Sequence, residues 1–321
     1  MTADRLPLVV AALGGNAIQD PNGDDSVASD FARTRATARH LVELALGGPC
    51  RLVVTHGNGP QVGNHMLRSE LAKDAGHLPD LPLDVCVADT QGGMGYMLQQ
   101  CLGDAFHEAG VPATVVALVS QTIVEADDPA FGDPSKPVGH VIHDAAKAEE
   151  LRRSGWNLVE DRHRDGWRRV VPSPDPKEIV EAAAVRALVE AGVVVIAAGG
   201  GGIPVVQRSD GSLEGVAAVV DKDLASALLA VDLRADALLI LTDVTKVKLN
   251  FDSPGESEID RMSVAEARAF LDEGQFPPGS MGPKVEAACR FVEATGKRAM
   301  IGAIADVGHG LEAGFGTQLV P

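Results

Sequence analysis

The sequence predicts an α/β protein built on a mainly parallel sheet, and three observations carry that prediction. Short apolar segments end in glycine-rich loops and are followed by helix-length amphipathic segments, which is the βαβ rhythm of a parallel sheet. The apolar segments are near-continuous runs of Val, Leu, Ile and Ala, as strands buried on both faces require. Of the 321 residues, 45% are hydrophobic but only 3% aromatic, which fits aliphatic strands under helices better than a β-sandwich. This length suffices for one large domain or two smaller ones, each with its own core.

In chain order, Leu8 to Leu13 (LVVAAL) reads as a strand running into Gly14-Gly15-Asn16, and residues 29–47 as an amphipathic helix. A second strand, Arg51 to Thr55, ends in His56-Gly57-Asn58-Gly59-Pro60. Ligands of such sheets collect beyond the carboxyl ends of the strands, where both loops fall. Residues 84–110 read as a long helix holding Thr90-Gln91-Gly92-Gly93, and 113–119 as a strand. From about 125 to 176 the chain is rich in Pro, Gly, Arg and Asp and holds both tryptophans, Trp156 and Trp167. With little long periodicity, it reads as a protruding insertion or lid.

A helix at 177–191 leads into VVVIAAGGGGIPVV, a buried strand ending in Gly199 to Gly202. Glycines remove side chains where the backbone must come close to something. After a polar hairpin, Asp221-Lys222-Asp223 opens a segment with Ala225, Leu228 and Leu229 at helical spacing, which puts Lys222 at a helix N-terminus. Backbone N–H groups, a helix dipole and a lysine at one spot suit a polyphosphate. Ala237 to Leu241 is another buried strand, ending in Thr242-Asp243. A helix over 263–273 carries a Ser263/Glu266 capping signature. A Pro/Gly-rich loop then precedes a helix from Lys284 to Thr295, and a strand at 298–304 follows.

Lys and Arg number 28 against 45 Asp and Glu, a formal charge of −17. That balance argues against nucleic acid and anionic membranes as partners, while a few lysines can still build a local positive pocket. Cys50, Cys86, Cys101 and Cys289 lack zinc spacing and read as buried thiols in a reducing compartment. No signal-like leader is evident, and Arg186 and Glu190 interrupt the best candidate for a membrane span, so the cytoplasm is the expected location. There is no GxxxxGK[ST], GxSxG or HExxH. His140-x-x-His143 has no third ligand and reads as a surface pair, so no metal site formed by side chains is expected. Glycine loops on one side and lysines on the other suit phosphoryl transfer, which needs positioning and positive charge more than covalent help.

The segments VVAALGGNAI (9–18), RLVVTHGNGPQVGN (51–64), PLDVCVADTQGGMGY (82–96), PSKPVG (134–139), GWRRVVPSPDP (166–176), AAGGGGIPVV (197–206), VVDKDLASALLA (219–230), LILTDVTKV (239–247) and PPGSMGPKVEAACRFVEATGKRAMIG (277–302) resemble, in order, the carbamate kinases of the amino acid kinase family. The resemblance implies an open αβα sandwich around a mainly parallel, eight-stranded-type sheet with a small protruding subdomain, working as a homodimer. It implies the reaction ATP + carbamate ⇌ ADP + carbamoyl phosphate with Mg²⁺, run toward ATP in arginine breakdown. Residues 1–218, including the lid at about 125–176, would bind carbamate or carbamoyl phosphate, and 219–321 the nucleotide.

By motif match, Lys136, Lys222, Asp223 and Lys284 would be catalytic. Gly14, Gly15, Asn16, Gly57, Asn58 and Gly59 would bind the acceptor. Gly200, Gly201, Thr242, Asp243 and Met281 would join Lys222 and Lys284 around the nucleotide. Two departures from the family pattern, Thr245-Lys246-Val247-Lys248 near the adenine and His140-Val141-Ile142 beside Lys136, bear on affinity or acceptor choice. The competing readings are a kinase for another small carboxylate or phosphate acceptor, and a catalytically silent sensor. Retention of all three lysines argues against the sensor.

Overall fold

The computed structural model describes residues 6–19, 26–161, 165–277, 279–309, 311 and 315–321. Eight strands form one sheet: β1 (Leu8–Leu13), β2 (Arg51–His56), β3 (Val115–Ala117), β4 (Val194–Ile196), β5 (Ala237–Thr242), β6 (Arg261–Ser263), β7 (Arg298–Ala303) and β8 (Thr317–Val320). Their spatial order is β6-β8-β7-β5-β1-β2-β4-β3. The six from β7 to β3 run parallel, while β8 is antiparallel to β7 and β6 parallel to β8. The α/β prediction with a mainly parallel sheet holds.

The helices are α1 (Val27–Gly47), α2 (Gly59–Asp74), α3 (Leu83–Glu108), α4 (Ala145–Arg153), α5 (Ala182–Glu190), α6 (Lys222–Asp232), α7 (Val264–Asp272) and α8 (Met281–Thr295). Successive strand residues point to opposite faces. Accordingly Val9, Ala11 and Leu13 pack with residues of α1 and α3, and Leu8 and Val10 with residues of α5, α6 and α8. Those two aliphatic cores make the layered sandwich. The sheet is continuous from β1 to β2 on one side and to β5 on the other, so position 218/219 divides a chain that shares one sheet.

The lid has more structure than its composition suggests. Strands Lys136–Ile142, Leu158–Asp161 and Gly166–Val171 form an antiparallel sheet, with α4 beside it. Its pairings join residues as distant as Lys136 and Val171, which no local period records. The lid docks on α2 where Gly63 meets the backbone of Gly139, so closely that a Cβ on Gly63 would overlap it. The helix expected over 177–191 is shorter: Glu178–Ile179 pairs as a strand with Thr122–Ile123, and the helix begins at Ala182. Tertiary pairing overrides helix propensity there.

Candidate active site

The strand order places a switch point between β1 and β5, because the chain leaves β1 toward β2 and later returns to β5 on the opposite side. A crevice opens beyond the carboxyl ends at such a point. The loop after β1 is tied across it, with the Gly14 N–H donating to the Leu241 carbonyl at 3.0 Å. Gly15–Ala17 then makes one tight helical turn. Asn16 takes part in that turn, and its side chain lies outside the described structure.

A cavity of about 160 Å³ lies in this crevice. Its lining includes Gly15, Gly57, Asn58 and Gly59 from the first two loops, Asp221, Lys222, Asp223 and Lys284 from the helix starts, and Gly200 and Lys136. Asp221 caps α6 by accepting from the N–H groups of Asp223 and Leu224, which sets Lys222 and Asp223 in its first turn. Asp223 bonds Lys222 at 2.5 Å through one carboxylate oxygen and Lys284, from the first turns of α8, at 3.0 Å through the other. Lys136 reaches from the lid to Asp221. Three lysines far apart in sequence are thus held around one space by two neighbouring aspartates.

Burial shapes their titration. Asp223 is buried, yet the two ammonium groups overcome that and hold its carboxyl well below the usual carboxylate range. Burial, aided by the charge of Lys284, pushes Lys222 below its ordinary value despite the bond to Asp223. Burial acts the same way on Lys284, but the Asp223 carboxylate outweighs it and the ammonium sits above its ordinary value. His56, under the site at the end of β2, is pushed down to about 4 by burial, with the Lys222 charge adding to the effect.

The amino acid kinase family model matches residues 7–303. The chain belongs to the amino acid kinase family. A carbamate kinase of Thermococcus kodakarensis is 45% identical over 312 residues, covering 97% of this chain and 98% of that one. A carbamate kinase-like protein of Escherichia coli is also 45% identical, over 92% of each chain. The carbamate kinase of Giardia lamblia covers 98% of both chains, with a TM-score of 0.91 and 39% identity in its citric acid complex. Its AMP-PNP complex gives a TM-score of 0.87 and 40% identity.

In this amino acid kinase, the four-glycine turn differs from what its sequence suggests. What comes close to these glycines is mostly the protein itself. A Cβ would overlap the His56 ring at Gly199, the Asn58 amide at Gly200, the Val220 carbonyl at Gly201 and the Thr122 hydroxyl at Gly202. Gly201 donates its N–H to Ala198, so its amide is committed within the turn and not left to a phosphate; only Gly200 lines the cavity. Gly14, Thr242, Asp243 and Met281 lie outside the lining. Gly14 sits against the Leu241–Thr242 backbone, and Asp243 is near enough for its charge to raise Lys284. Met281 begins α8.

Lys246 and Lys248 pair with Asp260 and Glu256 on or beside a hairpin of Val247–Leu249 with Ser257–Ile259. The His143 ring bonds the Asp165 carbonyl at 2.8 Å. Among the described residues no group of three or more His, Cys, Asp or Glu is placed to hold a metal. Nor is any helix there long and apolar enough to cross a membrane.

Thr90 and Gln91 belong to neither glycine loop and carry no role that the sequence pattern assigns. Both are buried in α3. Gln91 donates to the carbonyls of Ser120 and Gly199 and accepts from the Ser120 N–H, while Asn58 donates to Thr90. One helix thereby brackets both glycine loops. The available signal was the polar run Asp89-Thr90-Gln91 leading into Gly92-Gly93 within a helix-length segment.

Proposed function

We propose that this protein is a carbamate kinase, catalysing ATP + carbamate ⇌ ADP + carbamoyl phosphate. The observation that carries the reading is the joint hold of Asp223 on Lys222 and Lys284, with Lys136 brought down by the lid across the same cavity. In the ATP-forming direction, an oxygen of the ADP β-phosphate attacks phosphorus in line. The P–O bond to the carbamoyl group breaks, and carbamate departs with its electron pair. Neither nucleophile nor leaving group requires a proton, so the work is positioning and charge neutralisation. The lysines supply the charge, their aspartates fix their directions, and phosphate oxygens replace part of that pairing on binding.

Magnesium enters as part of the nucleotide substrate. It binds through phosphates, water and at most one or two carboxylates, which suits a site where Asp221 and Asp223 face lysines. Residues 1–218 carry the acceptor side with the lid, and 219–321 the nucleotide side, with Thr242, Asp243 and Met281 near it. The AMP-PNP complex of the Giardia relative supports an adenine nucleotide. A cytoplasmic homodimer acting in arginine breakdown is the setting that the family resemblance supports, and the free cysteines accord with a reducing compartment.

A kinase for another small acceptor is the second reading, motivated by His140-Val141-Ile142 close to Lys136. A coupled assay of ATP formation from ADP and carbamoyl phosphate with Mg²⁺ separates the two. ATP production lost in Lys222→Ala supports carbamate kinase. No ATP from folded, nucleotide-binding protein refutes it.

A further inference from the structure

The acceptor side of the cavity contains an asparagine whose amide direction is dictated from outside the site. Asn58 occupies the N-cap position of α2, yet its side chain makes no capping bond. A cap asparagine ordinarily spends its carbonyl oxygen on the helix N–H groups. Here the amide nitrogen donates to Thr90 Oγ1 at 2.8 Å. Thr90 in turn donates its hydroxyl proton to the Val87 carbonyl at 2.7 Å. A carbonyl can only accept, so the threonine proton is committed and its oxygen is left as an acceptor. The Asn58 group that answers it must be the NH₂. Asn58 is 2% exposed and lines the cavity, and its amide lies against Gly200 with no room for a Cβ between them. The bond to Thr90 is the one the Asn58 side chain makes among the described residues, so its Oδ1 is left over.

We infer that Thr90 is a positioning residue for acceptor specificity: it fixes the Asn58 amide so that its carbonyl oxygen meets an N–H donor of the substrate, selecting a carbamoyl group over an isosteric acyl group. The inference rests on the carbamate kinase reading. An acceptor that a bound ligand covers and leaves without a donor is costly, and a site built to bond an N–H rejects the analogue lacking it. Acetyl phosphate is that analogue, with a methyl group in place of the amino group and the same phosphoryl chemistry.

The test compares ATP formation from carbamoyl phosphate and from acetyl phosphate, as kcat/KM with saturating MgADP. The wild type is expected to favour carbamoyl phosphate by about a hundredfold or more, a comparison that needs no variant. Thr90→Val keeps the shape and removes the acceptor. The preference is expected to shrink at least tenfold, and Thr90→Ser, which retains the hydroxyl, to restore it, with thermal unfolding confirming that both variants fold. A wild type using both donors equally well would overturn the inference while leaving the kinase reading intact. So would a Thr90→Val variant losing both activities in equal proportion. ATP from neither donor would overturn the kinase reading and the inference together.

Discussion

Replacing Gly200 by alanine isolates how the glycine turn supports the site. Gly200 has φ +64° and ψ 16°, a left-handed conformation that costs an L-residue about 1–2 kcal/mol. Its new Cβ would overlap the Asn58 amide, which cannot swing away freely because Thr90 holds it. Overpacking of this kind adds about 1–3 kcal/mol, so Gly200→Ala is expected to destabilise by about 2–5 kcal/mol. Gly103→Ala is the matched control: it lies within α3 with nothing within 4 Å of its Cβ position, and is expected to stabilise by up to about 1 kcal/mol. Urea unfolding followed by far-UV circular dichroism measures both. ATP formation measured on the folded variants should fall for Gly200→Ala, since the displaced asparagine lines the cavity, and stay unchanged for Gly103→Ala. An unfolding midpoint of Gly200→Ala equal to the wild type, or one matched by Gly103→Ala, would refute the reasoning.

Further expectations concern the charged cluster and the buried histidine. Lys222→Ala and Lys284→Ala should each lower kcat by about a hundredfold or more, since each removes charge stabilisation from the transferring phosphoryl group; steady-state ATP formation checks this, and near-wild-type rates would displace both from the site. Asp223→Asn leaves the buried Lys222 ammonium and the half-buried Lys284 ammonium without their shared carboxylate and should cost up to about 3–5 kcal/mol, read as a lower urea midpoint at pH 7. His56 is pushed down to about 4, so between pH 6.5 and 4 the unfolded chain binds its proton and the folded chain does not. Stability carried by its neutral form is complete above pH 6.5 and falls with pH, by about 3 kcal/mol at pH 4. Urea midpoints across that window should drop, and a smaller drop in a folded His56→Gln variant identifies the residue.

Much of the fold was legible in the chain. LVVAAL, the LVV of Leu52 to Val54 and ALLIL announce themselves as strands because burial on both faces demands aliphatic runs. Helix α6 is readable from Asp221 and its spacing, and α7 from a capping box that forms as expected between Ser263 and Glu266. The lid strands were not readable, because short segments paired across 35 residues, Lys136 with Val171, leave no local period. Gly199 to Gly202 could be seen to avoid side chains, but not that His56, Asn58, Val220 and Thr122 fill the space.

The sequence by itself determined the layered sheet, the loops at its carboxyl ends and the lysines available for a phosphate, since each follows from local pattern. Only the tertiary structure decided that Asp223 would join Lys222 to Lys284, 62 positions apart, and that Thr90 would turn the Asn58 amide. Hydrogen bonds and ion pairs extend only about 3 Å. Which groups meet at that range depends on how whole layers pack, and residue type and spacing alone do not contain it.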